Sequence, residues 1–253
     1  MRANQFLAES SIDPGIVQAL RSKGYKPLGS KGADQQAFLE PGSGLVLKIF
    51  GTEGDSSSSS RSNSWADTYD GDSGSGTYEA APARAKEALP IQLTFAQETF
   101  KTFADFCMAN KANPFLPKFF GWETFIYNGK QYLQIRMERL FEFSNNREWA
   151  WALEDLADSV KNGKNMEQWI NRNLTDVNSD NDDEWNYTEE NSTYHELLSH
   201  LGEDGIKLLW NTIDQLANIA ERGKFNLDLH SGNFMLGSDG EIVISDPFWC
   251  GDW

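Results

Sequence analysis

The sequence predicts an α+β protein in which an N-terminal antiparallel sheet precedes a mostly helical second half. Three observations carry this. Short apolar runs punctuated by glycine occupy residues 26–50, an Asn128-Gly129 pair joins two further strand-like runs, and apolar residues recur at helical spacing after Leu140. Strand side chains alternate faces at every residue, whereas helical faces recur about every 3.6 residues, so the change of period marks the change of structure.

Each element has its own signal. Asp13 is placed to cap a helix whose first turn holds Pro14 and whose apolar stripe includes Val17 and Leu20. Pro27–Gly29, Ala37–Leu39 and Leu45–Phe50 then read as three consecutive antiparallel strands, the last two joined by the turn Pro41-Gly42-Ser43-Gly44. Residues 51–80 hold nine serines and five glycines. Such a stretch buries too little apolar surface to offset its ordering entropy, so a mobile insertion is expected over 51–90. Leu93–Ala109 reads as a helix with Phe100, Phe103, Phe106 and Cys107 along one face. Lys118–Tyr127 and Gln131–Met137 form the clearest hairpin, because the Asn-Gly pair between them tolerates the positive φ of a tight turn.

The second half begins at residue 141, which divides the chain into expected units 1–140 and 141–253. Tryptophan-rich helical sequence runs to about Leu174. Asn173–Glu196 carries eight Asp or Glu and no Lys or Arg, and is expected to be a solvated acidic insertion, with a decoy surface for a basic partner as the alternative. Ile206–Arg222 is an amphipathic helix stopped at Gly223, and Phe234–Leu236 and Glu241–Ser245 follow as two short strands.

Composition removes several classes. A formal charge of -16 argues against nucleic-acid binding through a general cationic surface, while leaving basic partners open. No apolar run approaches the roughly 20 residues that span a bilayer, and the first 25 residues lack a signal-peptide layout. With only Cys107 and Cys250, no disulfide framework is possible, and a cytoplasmic location is expected.

The chemistry concentrates in Asn226-Leu227-Asp228-Leu229-His230-Ser231-Gly232-Asn233, followed by a hairpin and Ser245-Asp246-Pro247-Phe248. Metal-assisted phosphoryl transfer needs one carboxylate for the acceptor hydroxyl and hard oxygen ligands for Mg²⁺ against the phosphates of ATP. Asp228 lies five residues before Asn233, which lies thirteen before Asp246. Those are the intervals of a protein-kinase catalytic loop and its metal-binding Asp. Taken singly, Asp228 also suits a loop cap and Asp246 a turn before Pro247, but neither reading explains the spacing.

The N-terminal strands can be examined for the remaining parts. Lys48, within Leu45–Phe50, is placed to reach the phosphates from the third strand. Leu28-Gly29-Ser30-Lys31-Gly32-Ala33 could bend over them through Gly29 and Gly32, although a third glycine is missing. Glu98 is the first candidate to pair with Lys48, with Glu87 as the fallback. In a kinase-like arrangement the connector after Met137 would lie against adenine, with backbone groups of Glu138–Leu140 offering hydrogen bonds.

On these residues the chain resembles the protein-kinase-like superfamily. Asp228-Leu229-His230-Ser231-Gly232-Asn233 is similar to the loop of aminoglycoside and choline kinase-type phosphotransferases. With the following Asp246-Pro247 it resembles more closely the early Ser/Thr protein kinases of short-tailed bacteriophages, which modify host proteins. The likeness is dense over Phe225–Phe248 and looser over Leu28–Phe50 and Phe103–Gly121. It implies a bilobal kinase-like fold with a reduced helical C-lobe, and ATP and Mg²⁺ as cofactors. Asp228 would be the catalytic aspartate, Asn233 and Asp246 the metal ligands, and Lys48 the phosphate-binding lysine. His230 would stand where ordinary kinases carry a catalytic-loop lysine, or else brace the loop.

The departures have consequences. Asn226-Leu227 replaces His-Arg, and Asp246-Pro247-Phe248 replaces Asp-Phe-Gly. Seven residues follow Asp246, so the standard activation segment is expected to be missing and Glu142–Asp204 would form the acceptor wall. The expected function is therefore Ser/Thr phosphorylation of host proteins in the host cytoplasm. A kinase-fold acidic protein that sequesters a basic host protein, and a small-molecule kinase, are the alternatives.

Overall fold

A computed structural model of the chain describes residues 12–28, 35–51, 93–143, 147–174 and 187–249. The fold is α+β. Five strands, β1 (Lys26–Leu28), β2 (Gln35–Leu39), β3 (Val46–Phe50), β4 (Phe119–Tyr127) and β5 (Lys130–Met137), form one antiparallel sheet in the order β1-β2-β3-β5-β4. The three N-terminal strands are neighbours as their spacing predicts, with Ala37 opposite Lys48 and Lys48 opposite Ile135. Asn128 and Gly129 turn the β4–β5 hairpin with φ of 49° and 75°, the positive values that an Asn-Gly pair permits.

Alternation along β3 divides two cores. Leu47 and Ile49 pack with Phe38, Tyr132, Ile12 and Ile16 beneath α1 (Pro14–Ser22), whose N-cap Asp13 carboxylate accepts the Gly15 N–H at 2.7 Å. Val46 and Phe50 face the other way, into a larger core with Leu133, Ile135 and Met137 of β5. Against that face lies α2 (Phe95–Ala109), through Phe100, Phe103, Ala104 and Cys107. Its start is set by Thr94, which exchanges hydrogen bonds with Gln97 in a capping box, two residues after the Leu93 that periodicity suggests. Phe106 is only half-buried.

The larger core continues without a break into α3 (Arg147–Lys161), α4 (Met166–Leu174) and α5 (Tyr187–Gly223). Helix α5 begins well before the expected Ile206 and is interrupted at Gly202, whose φ of 70° and ψ of 169° no helical residue adopts. Residues 187–196 of the expected acidic insertion are therefore helical, with Thr193 and Leu197 buried four residues apart while Glu196 faces out. Acidic groups on one side of a helix do not prevent apolar burial on the other. Positions 175–186 of that stretch lie outside the described residues, as do 52–92, which contain nearly all of the serine- and glycine-rich segment.

The chain after α5 folds into two small ribbons. β6 (Asn226–Leu227) pairs with β9 (Phe248–Trp249), and β7 (Phe234–Leu236) pairs with β8 (Ile242–Ile244). A bridge from Phe141 to Leu236, with both N–H···O distances at 2.8 Å, ties the second ribbon to the segment leaving β5. Among the described residues no helix is long and apolar enough to cross a membrane.

Candidate functional site

The β6–β9 ribbon brings the two ends of the motif together. Immediately after β6 the Asp228 N–H donates to the carbonyl of Pro247 at 2.8 Å, so the residue before Pro247, Asp246, is held beside Asp228. Between them a single 3-10 turn, Ser231–Asn233, closes through the Asn233 N–H donating to the His230 carbonyl at 2.9 Å. Asn233 is the hub. Its side-chain Nδ2 donates to the Asp228 carbonyl at 2.7 Å, and its carbonyl accepts from the Ser245 N–H at 2.8 Å and the Ser245 hydroxyl at 3.1 Å. The intervals of five and thirteen residues thus have a local cause: they are the turn and the ribbon that return the chain to its starting point.

Lys48, Asn233 and Asp246 line one cavity of about 710 Å³ beneath the sheet. Its apolar lining includes Leu28, Ala37 and Val46 from the sheet and Phe143 and Met235 from the segments opposite. Burial pulls the Lys48 ammonium below the usual lysine range, and the Asp246 charge opposes that shift. Burial likewise pushes the Asp246 carboxyl up, against the pull of Lys48, and the nearby Asp228 charge pushes in the same direction. Asp228 and His230 are not in the lining; their side chains are more than two-fifths exposed at its edge.

His230 has a definite role in the loop. Its Nδ1 accepts the Gly232 N–H at 3.0 Å, which leaves Nε2 to carry the proton of the neutral ring, 3.9 Å from Asp228 Oδ2. A Cβ on residue 232 would stand 2.8 Å from the ring's Cε1, so the imidazole braces the turn only because that position is glycine. Glu154 of α3 adds a second brace by accepting the Ser231 N–H at 2.9 Å.

One expected residue, Glu98, sits differently from the sequence-based expectation. Glu98 is exposed, and the α2 residue buried towards β3 is Gln97, whose Nε2 donates to the carbonyls of Phe50 and Gly51, each at 3.2 Å. Lys48 instead lies over the Phe100 ring, 4.6 Å from its centroid. The helix phase decides this, since Gln97 lies three residues before buried Phe100 and Glu98 does not share that face. Gln97→Glu is therefore expected not to create a new ion pair but to press a carboxylate against two carbonyls, costing about 1–3 kcal/mol in chemical denaturation. A variant as stable as the parent would show that the carboxamide does not hold the end of β3.

At the connector, the side chain of Glu138 matters as well as its backbone. Its buried carboxylate accepts the Lys118 N–H at 2.8 Å, the Ser238 N–H at 3.3 Å and the Ser238 hydroxyl at 2.9 Å, locking the connector to the turn of the β7–β8 ribbon. Glu138, Arg139 and Leu140 all line the cavity. Among the described residues neither the Glu138 carbonyl nor the Leu140 N–H has a hydrogen-bond partner. Gly29, Gly32 and the fallback Glu87 lie outside the described residues.

Sequence reasoning missed Gln35, Gln97, Glu154 and the Glu138 carboxylate. Only Gln97 carried a signal, as the last residue of the capping box Thr94-Phe95-Ala96-Gln97. Compared with known proteins, the chain matches no protein-family model and no curated protein. The chemical reading of the site therefore rests on its own residues.

Proposed function

We propose that the chain is an ATP- and Mg²⁺-dependent phosphotransferase with a bilobal kinase-like arrangement, acting on Ser or Thr hydroxyls of host proteins in the manner of the phage kinases it resembles. One observation carries the reading: Lys48, Asn233 and Asp246 line a single cavity, and Asp228 is hydrogen-bonded through its backbone to the residues that frame it.

The residues fit the cofactors. Because Asn233 spends its Nδ2 on the Asp228 carbonyl, its Oδ1 remains available as a hard oxygen donor, alongside the Asp246 carboxylate. Among the described residues no cluster of three or more His, Cys, Asp or Glu could hold a metal. A cation here would thus complete its shell with phosphate oxygens and water, which is how Mg²⁺ prefers to bind. The apolar lining from Leu28, Ala37 and Val46 suits an aromatic base, and the free Glu138 carbonyl and Leu140 N–H supply an acceptor and a donor at its edge.

Asn233 and Asp246 would hold the Mg²⁺, which would supply positive charge against the phosphates. Lys48 would present its ammonium to the phosphate oxygens from β3, with the Asp246 charge opposing the penalty that burial places on the charged form. The Asp228 carboxylate, exposed at the cavity edge, would accept a hydrogen bond from the acceptor hydroxyl and take its proton as that oxygen bonds to the γ-phosphorus, while the bond from that phosphorus to the bridging oxygen breaks and ADP leaves with the electron pair. His230 and Glu154 keep the loop in shape.

A second reading is favoured by one feature: among the described residues the carboxylate acting on Lys48 is Asp246, and none comes from a helix. A kinase-fold acidic protein that sequesters a basic partner would tolerate that arrangement. Ligand binding and label transfer together separate the two. Mg-ATP at a hundredfold excess over Kd should stabilise the protein by about 2.7 kcal/mol, a rise of roughly 5–10 °C in Tm. Lys48→Ala and Asp246→Asn should each remove most of that rise. An unchanged response in both variants would remove the nucleotide site, and retained partner capture without transfer of label from γ-labelled ATP would favour sequestration.

A further inference from the structure

Gln35 is the most unusual polar residue of the cavity. It opens β2, lines the cavity together with Asp246, and acts on that carboxylate as a hydrogen-bond donor would, favouring its charged form. A carboxylate can only accept, so the carboxamide contributes its Nε2 and is thereby oriented. Its Oε1 is left buried with no hydrogen-bond partner among the described residues. A buried acceptor without a donor is costly, and such groups are few in native proteins. A bound species that brings a donor would relieve the cost.

What donor belongs there follows from the ligand count. Asp246 and Asn233 together offer too few oxygens for an octahedral cation, and phosphate oxygens fill only part of the remainder, so waters stay on the ion. Each bound water has protons to donate and, inside a cavity, requires protein acceptors. From these placements we propose that Gln35 is a positioning residue of the cation site: its Nε2 orients Asp246, and its Oε1 accepts a hydrogen bond from a water on the bound Mg²⁺. This rests on the phosphotransferase reading above. It adds a β2 residue that ties the sheet to the metal-binding aspartate, an outer contact of the kind that commonly changes metal affinity by about 10–100-fold.

The test measures cation dependence rather than turnover. The full chain is held at saturating ADP, and the Mg²⁺ concentration giving half of the maximal rise in Tm is determined. Gln35→Met keeps the volume but removes both polar atoms, and should raise that concentration about tenfold. The Tm without ligand should stay close to that of the parent. Gln35→Glu keeps an acceptor oxygen but loses the Nε2 donor, and should raise that concentration by less than Gln35→Met does. The proposal is overturned if Gln35→Met responds at the parent's Mg²⁺ concentration, or if Gln35→Glu is weakened as much as Gln35→Met. Absence of any Mg²⁺-dependent response in the parent would overturn the phosphotransferase reading itself, a distinct result.

Discussion

Asp228→Asn is expected to reduce transfer of label from γ-labelled ATP to protein acceptors by about 10²–10⁴-fold, the range a positioned general base contributes. The substitution isolates chemistry from architecture unusually well. Asp228 holds the loop through its main chain: its N–H donates to Pro247 and its carbonyl accepts from Asn233. Neither bond involves the carboxylate that the variant loses. The side chain is also outside the cavity lining, so the response of Tm to Mg-ATP should survive. Loss of transfer with intact ligand response would assign Asp228 to the reacting hydroxyl. Transfer within a few-fold of the parent would mean that another group takes the proton, and the role given to the loop would have to be withdrawn.

The contrast between Asp228 and Glu98 explains how much of the site could be read in advance. The spacing of Asp228, Asn233 and Asp246 was legible because a turn and a two-stranded ribbon have nearly fixed lengths, so sequence interval translates into position. The Asn128-Gly129 hairpin was legible for a similar reason, since its turn geometry restricts the residues. Glu98 has the charge that a lysine partner needs, but the apolar period running through Phe100, Ala104 and Cys107 puts Gln97 on the inner face. Other features had no local signal. Gln35 comes to share a cavity with Asp246 only when β2 meets the segment before β9, and Glu138 gains its partners only when the β7–β8 turn reaches the connector. β6 and β9 are two residues each, too short for any periodicity to register. The start of α5 was hidden because eight acidic residues outweighed a stripe that includes Thr193 and Leu197.

Phe103→Ala should have the largest effect on stability, about 3–5 kcal/mol, from lost transfer energy and the cavity left behind. Phe103 is fully buried where three parts of the protein meet. Its ring packs edge-on against Phe119 of β4 at 5.7 Å, against Phe100 of its own helix at 6.2 Å, and against Phe248 of β9 at 6.1 Å. These neighbours belong to rigid elements that cannot collapse into the vacated space together. Against a total stability of about 5–15 kcal/mol, such a loss is a large fraction and corresponds to a fall of roughly 10 °C in Tm. The effect should also reach the site. Phe248 lies two residues after Asp246 and pairs with Leu227, the residue before Asp228, so loosening its ring loosens both ends of the motif. Phe103→Leu, which refills most of the volume, should recover most of the stability and the full Mg-ATP response. If Phe103→Ala lowers Tm but leaves that response at its parental size, the packing of α2 against β9 is structural only and does not hold Asp246 in place.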